Sequence, residues 1–217
     1  MELPINHILI RKDVKHARLR VSEDGKVRVI LPNHFSQDDL DALLKKKRFW
    51  IEKNLKYFES KSQIKLQRNQ LLLYGNRYSY FFDASVKGVI INHDHLTIRS
   101  AKNLLDSSVQ LQWYKSIAKK HLVSRTHELA KKLGFDFNKI FIRNQKTKWG
   151  NCSKDKNISY NWRLIKAPLF VIDYLIIHEL VHTIIMSHTN KFWTLLRSYF
   201  PNYREAVNWL DKYGNSL

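Results

Sequence analysis

The spacing of hydrophobic residues changes period several times along the 217-residue chain. Residues 17–21 and 27–31 alternate as strands, and Asp24-Gly25 between them suits a hairpin turn. Val27, Val29 and Leu31 are expected on one face. Residues 37–59 switch to a helical stripe of Leu40, Leu43, Leu44, Phe49, Trp50, Leu55 and Phe58. Ser36 is a fitting cap, and Asp38, Asp39 and Asp41 occupy the first turn, where negative charge is favourable. Residues 71–100 return to strands: 71–74, 78–82, 88–91 and 95–99, with turns at Gly75-Asn76 and Asn92-His93-Asp94. The aromatic run Tyr78, Tyr80, Phe81, Phe82 reads as sheet core. The longest helical pattern spans 104–133 and is stopped by Gly134. A strand at 135–143, a polar connection at 144–153 and a strand at 157–164 follow. Ala167-Pro168 then opens a last strongly apolar helix, since Pro is tolerated in a first turn.

This order predicts an α+β fold with a small sheet laid against that helix. A β-rich N-terminal lobe with one helix is expected over 1–100 and the core over 101–217.

The apolar share of 44% marks a folding chain, and one cysteine, Cys152, rules out a disulfide framework or a cysteine-based zinc knuckle. The N-terminus lacks a basic start followed by an apolar core. The longest apolar stretch, 169–177, contains Asp173 and is too short to span a bilayer. A cytoplasmic protein with no membrane association is expected. The net charge of +19 favours anionic partners, nucleic acid among them, although a lysine-rich surface also serves solubility alone. The excess is spread out: residues 1–135 hold 26 basic and 13 acidic groups, and residues 136–217 hold 12 and 6. No separate basic arm is implied.

Within the last apolar helix, His178, Glu179 and His182 form H-E-x-x-H. Residues four apart lie about one turn apart on nearly the same face, so both imidazoles can reach one ion. His188 is the natural third ligand on one condition. Along an unbroken helix it would turn roughly 240° and climb about 9 Å from His182. The helix must therefore end between them, and Ser187, Thr189 or Asn190 can cap the next one. Phe192, Trp193, Leu195 and Leu196 of that next helix would pack the turn in place. Three nitrogen ligands leave zinc an open position for water, and Glu179 beside it can take the proton. Imidazoles and a carboxylate in so apolar a helix need partners or a metal.

His93 and His95 lack a third ligand, and His121 and His127 do not share a face, so both pairs read as ordinary histidines. Cys152 reads as a packed thiol. Tyr160 and Tyr174 are candidates to hold an oxyanion, without spacing that shows it. The strand at 157–164 is a candidate to pair with a substrate backbone, along an approach made basic by Arg143, Lys146, Lys148, Lys154 and Lys156.

The interval from His182 to His188 resembles the metzincin pattern H-E-x-x-H-x-x-G-x-x-H, but Ile185 stands where that pattern has glycine. A left-handed turn at Ile185 would be strained, so a different turn is expected. A wider set of residues carries a closer likeness. Lys146-Thr147-Lys148-Trp149-Gly150-Asn151-Cys152-Ser153, Asn161-Trp162-Arg163-Leu164, Ala167-Pro168, Val171-Ile172-Asp173-Tyr174, His178-Glu179-Leu180-Val181-His182, His188 and Phe192-Trp193 resemble the YgjP-like metallopeptidase domain. That family is related to the SprT-like zincins. The specific part covers about residues 143–213. Asn151 replaces a usual Ser and Lys148 a frequent Arg; both bear on substrate fit. The resemblance implies a zincin-like core, ligands His178, His182 and His188 for Zn2+, Glu179 as general base, and a bacterial cytoplasmic hydrolase. In the SprT-like relatives, cleavage of DNA-bound proteins is the associated role.

The first expectation is therefore a zinc metallopeptidase acting on peptide or protein substrates. A second, from another class, is a basic nucleic-acid-associated binding protein with a structural zinc site. A third is hydrolysis of a non-peptide amide with the same metal and base. The sequence sets neither the substrate nor the oligomeric state.

Overall fold

A computed structural model describes residues 7–22, 26–59 and 63–217. The expected α+β class is what it shows: five α-helices and three small sheets among the described residues. The chain divides into two compact units, Met1–Gln63 and Ile64–Leu217.

In the first unit, β1 (His7–Lys12) pairs parallel to β3 (Val27–Pro32), and β2 (Arg18–Val21) pairs antiparallel on β3's other side. Val27, Val29 and Leu31 are all buried, as their alternation predicts, and they pack with Leu40, Leu44 and Ile51 of α1 (Gln37–Glu59). Ser36 and Asp39 cap α1 reciprocally: the Asp39 amide donates to Ser36 Oγ at 3.1 Å and the Ser36 amide to Asp39 Oδ2 at 2.9 Å. Two members of the expected stripe are not core. Phe49 is 80% exposed and Trp50 is exposed as well; Ile51 fills the buried register instead. The expected Asp24-Gly25 turn lies outside the described residues.

The second unit begins with a four-stranded sheet of order β4-β5-β7-β6, namely β4 (Gln70–Leu73), β5 (Asn76–Phe82), β6 (Val89–Asn92) and β7 (Thr97–Ser100). The sequence pattern predicts this sheet in an N-terminal lobe ending near residue 100. In the structure Leu71, Leu73, Tyr78, Tyr80 and Ile98 share one core with α2 (Ser107–Leu133) and α3 (Leu169–His182), so the compact unit starts at Ile64. Burial of these side chains against the later helices sets the division. Phe81 and Phe82 are exposed, so only the tyrosines of the aromatic run are core.

The β4–β5 hairpin turns at Tyr74-Gly75, one residue before the expected position, with φ of 50° and 80°. A two-residue turn with both φ positive matches the twist of the strands it joins. Its tip is fixed to the segment entering α3: the Tyr74 amide donates to the Ile165 carbonyl at 3.0 Å and the Gly75 amide to Lys166 at 2.9 Å. A Cβ on Gly75 would lie 2.7 Å from Pro168 Cγ, so this contact needs glycine for space as well as for φ.

Asp106 caps α2 through the amides of Ser108 and Val109, and Gly134, at φ 75°, ends it. The third sheet has order β8-β10-β9: β8 (Ile140–Arg143), β9 (Gly150–Cys152) and β10 (Ile158–Asn161). The stretch read as a polar connection thus contains a short edge strand. The strand expected over 157–164 stops at Asn161 and continues as a 3-10 turn, Trp162–Lys166, that leads into α3. α4 (Asn190–Tyr199) and α5 (Tyr203–Tyr213) complete the unit and pack on α3. Among the described residues no helix is long and apolar enough to cross a membrane.

Candidate metal centre

α3 is buried on nearly every side, from Val171 and Ile172 through Ile176 and Ile177 to Val181, which the absence of a polar stripe requires. It ends at His182. Thr183, Ile184 and Ile185 close the last turn onto Leu180 and Val181, and Thr183 Oγ1 donates to the Leu180 carbonyl at 2.8 Å. α4 begins at Asn190, so the chain reverses between the second and third histidine as the spacing demanded. Ile185 does not adopt positive φ, in keeping with the expected departure from a glycine turn.

The reversal gathers three imidazoles. The Nε2 atoms of His178 and His182 lie 3.2 Å apart, those of His182 and His188 3.2 Å, and those of His178 and His188 3.1 Å. Phe192, fully buried at the start of α4, packs on all three rings at centroid distances of 4.9, 4.5 and 4.8 Å. Trp193 stacks on His188 at 5.5 Å. His182 Nδ1 lies 3.0 Å from the Ile185 carbonyl. A carbonyl only accepts, so Nδ1 carries the hydrogen and Nε2 presents a lone pair. Burial pushes the His178 pKa down to about 3, with His182 and His188 adding to the effect, and burial lowers His182 as well. Neutral imidazoles are the form a metal takes.

Glu179 is 3% exposed. Its Oε2 is buried without a hydrogen-bond partner. Burial pushes its pKa up to about 8, against a smaller opposing pull from the Lys148 charge. The carboxylate is pressed against the edge strand: a Cβ on Gly150 would lie 2.5 Å from Glu179 Oε1. Gly150 lies in a stretch expected to border the cleft, but no local signal in the sequence marks its contact with Glu179. The two sites are 29 positions apart, and only the packing of β9 on α3 brings them together.

The loop before β9 is tied down by Asn161, whose Nδ2 donates to the carbonyls of Gln145 at 2.8 Å and Lys148 at 3.2 Å. Asn151 accepts from Gln145 Nε2 at 2.8 Å. Burial pushes the Cys152 thiol up to about 11, with the Glu179 charge contributing, which suits a packed thiol and not a nucleophile. Tyr160 is fully buried beside Thr126, so it does not face a substrate. The Tyr174 hydroxyl lies 3.4 Å from His178 Nδ1. His93 sits in a turn with Nδ1 2.8 Å from the Tyr78 hydroxyl, and His121 lies 3.2 Å from the Tyr74 hydroxyl.

The donor set fits a metal ion. Two nitrogen ligands about 2.0–2.1 Å from a tetrahedral zinc stand about 3.3 Å apart, close to the observed separations. Three converging nitrogens, at least one of them a bare lone pair, cannot all satisfy one another by hydrogen bonds. They form the one group of three or more candidate ligands found among the described residues.

No curated protein matches the chain. The match to a family is extensive, covering residues 15–213 and so both compact units, not only the residues around the histidines. Those limits take in the three histidines, Glu179 and Gly150 together, and on that match the chain belongs to the family of the YgjP-like metallopeptidase domain.

Proposed function

We propose that this chain is a zinc-dependent peptidase in which His178, His182 and His188 hold the ion and Glu179 is the general base. The observation that carries this reading is the pairing of three convergent Nε2 atoms with a neighbouring buried carboxylate whose Oε2 has no partner. Zinc held there supplies a Lewis acid for the scissile carbonyl and acidifies water.

The rest is the work of the chain. Glu179 accepts a proton from water at its carboxylate and returns it to the leaving amine. Burial, which raises the carboxyl to about 8 without an ion at the histidines, makes Glu179 once ionised a stronger base than an ordinary carboxylate. Packing against Gly150 limits where the carboxylate can swing. The Ile185 carbonyl fixes the ring of His182, and Phe192 holds the three rings together from one side.

The strand expected to pair with a substrate backbone is not an edge strand. β10 is the central strand, paired on both sides and buried throughout. The edge strands are β8 and β9; β9 lies beside Glu179, and its outer side is where an extended peptide would add.

The experiment is elemental analysis of protein purified without an affinity tag, alongside His188→Ala. About one zinc per chain, lost or weakened in the variant, is expected. Failure to retain or take up any metal would overturn the reading.

A further inference from the structure

Beside the histidines lies a recess of about 390 Å³ lined by Trp193, Tyr203, Arg204, Val207 and Asn208. Trp193 is the wall it shares with the centre. Its indole stacks on His188 at 5.5 Å and on Tyr203 at 5.5 Å, each pair inclined by 27°. The far side is cationic. Arg204 belongs to the lining, and its charge and that of Arg197 draw the Tyr203 pKa below the usual phenol value. The guanidinium of Arg204 in the wall of the recess favours a partner anion there. Glu205, the acid in the first turn of α5, is not part of the lining.

We infer that this recess is a substrate subsite for a carboxylate, so that the peptides taken by this centre carry an acidic group next to the bond presented to the histidines. The inference rests on the peptidase reading for its biological meaning, but the binding itself does not require turnover. The stacked rings of Trp193 and Tyr203 give an apolar bed for the chain of the substrate residue. Arg204 is the specificity determinant, able to take a carboxylate in a forked contact. The carboxylate can belong to an Asp or Glu side chain or to the free end of a peptide.

The test uses full-length Glu179→Gln protein loaded with zinc and titrated calorimetrically with three matched pentapeptides. One is blocked at both ends with a central Asp, one is the same with Asn, and one has a central Ala and a free C-terminal carboxylate. At least one carboxylate peptide is expected to bind about tenfold more tightly than the Asn peptide, and which of the two does so identifies the source. Adding Arg204→Gln should erase the difference, while Lys45→Gln, on α1, should preserve it. Equal affinities for acid and amide, a preference that survives Arg204→Gln, or no measurable binding of any peptide would overturn the inference. Cleavage of the same peptides by the unaltered protein is scored separately. Selective binding without cleavage removes the peptidase reading and leaves the subsite; cleavage at equal rates with equal affinities does the reverse.

Discussion

α3 carries two carboxylates six residues apart, and the protein treats them in opposite ways. Asp173, near the helix start, receives two hydrogen bonds from Arg125 of α2, Nε at 2.8 Å and Nη2 at 2.7 Å. Its charge is answered, and the pair joins the two longest helices of the second unit. Glu179, near the helix end, is more deeply buried, leaves Oε2 without a partner, and has its pKa pushed up to about 8. An unanswered buried carboxylate lowers stability, and a site that keeps one has a use for it. One end of the helix holds the core together; the other carries the group proposed to move a proton.

The sharpest way to break this comparison is Glu179→Gln. The amide keeps shape and burial but cannot accept the proton, so hydrolysis of a susceptible peptide should fall by about 10²–10⁴-fold with zinc content unchanged by elemental analysis. Unchanged turnover would remove Glu179 from the chemistry. Gly150→Ala comes next. The added methyl would meet Glu179 Oε1 at 2.5 Å, so either the carboxylate or β9 must shift. A loss of about tenfold or more in kcat is expected, with a stability loss of about 1–3 kcal/mol in urea unfolding. The same substitution in the Glu179→Gln background should cost no further activity, because the two changes act through one group.

The parts of this site that could be read from sequence are those whose geometry is local. H-E-x-x-H on an apolar stretch placed two imidazoles on one face, and the six-residue interval to His188 required a chain reversal that α3 and α4 supply. Phe192 and Trp193 were expected to pack the turn, and both lie against the histidine rings. What escaped was set by contacts between distant segments. Nothing near Gly150 announces that Glu179 will press on it, and nothing near Asp173 announces Arg125, 48 positions earlier. The three-residue strand β9 has too few positions to show a period, and β10 could not be told from an edge strand until its neighbours were placed. The division at residue 64 escaped for the same reason, since the strands from β4 to β7 show by pattern which face is buried but not against what.

The smallest expected effects give the comparison its clearest form, because the same chemical change at the two carboxylates should move stability in opposite directions. Asp173→Asn removes the charge that Arg125 answers, on side chains 23% and 30% exposed, and should destabilise by about 1–2 kcal/mol at neutral pH. Glu179→Gln, in protein stripped of metal with a chelator, should stabilise, by an amount that pH sets. The Glu179 carboxyl titrates near 4.5 when unfolded and near 8 when folded, because burial disfavours its charge. Below 4.5 it is protonated in both states and the substitution gains nothing. Between 4.5 and 8 the unfolded chain sheds a proton that the folded protein keeps, so the original protein loses stability as pH rises. Above 8 the loss is complete and the advantage of Gln is constant. Urea midpoints at pH 5, 7 and 9 should therefore diverge in favour of Glu179→Gln. If they instead remain parallel, the carboxylate has found a partner in solution, and the contrast between the two ends of α3 fails with it.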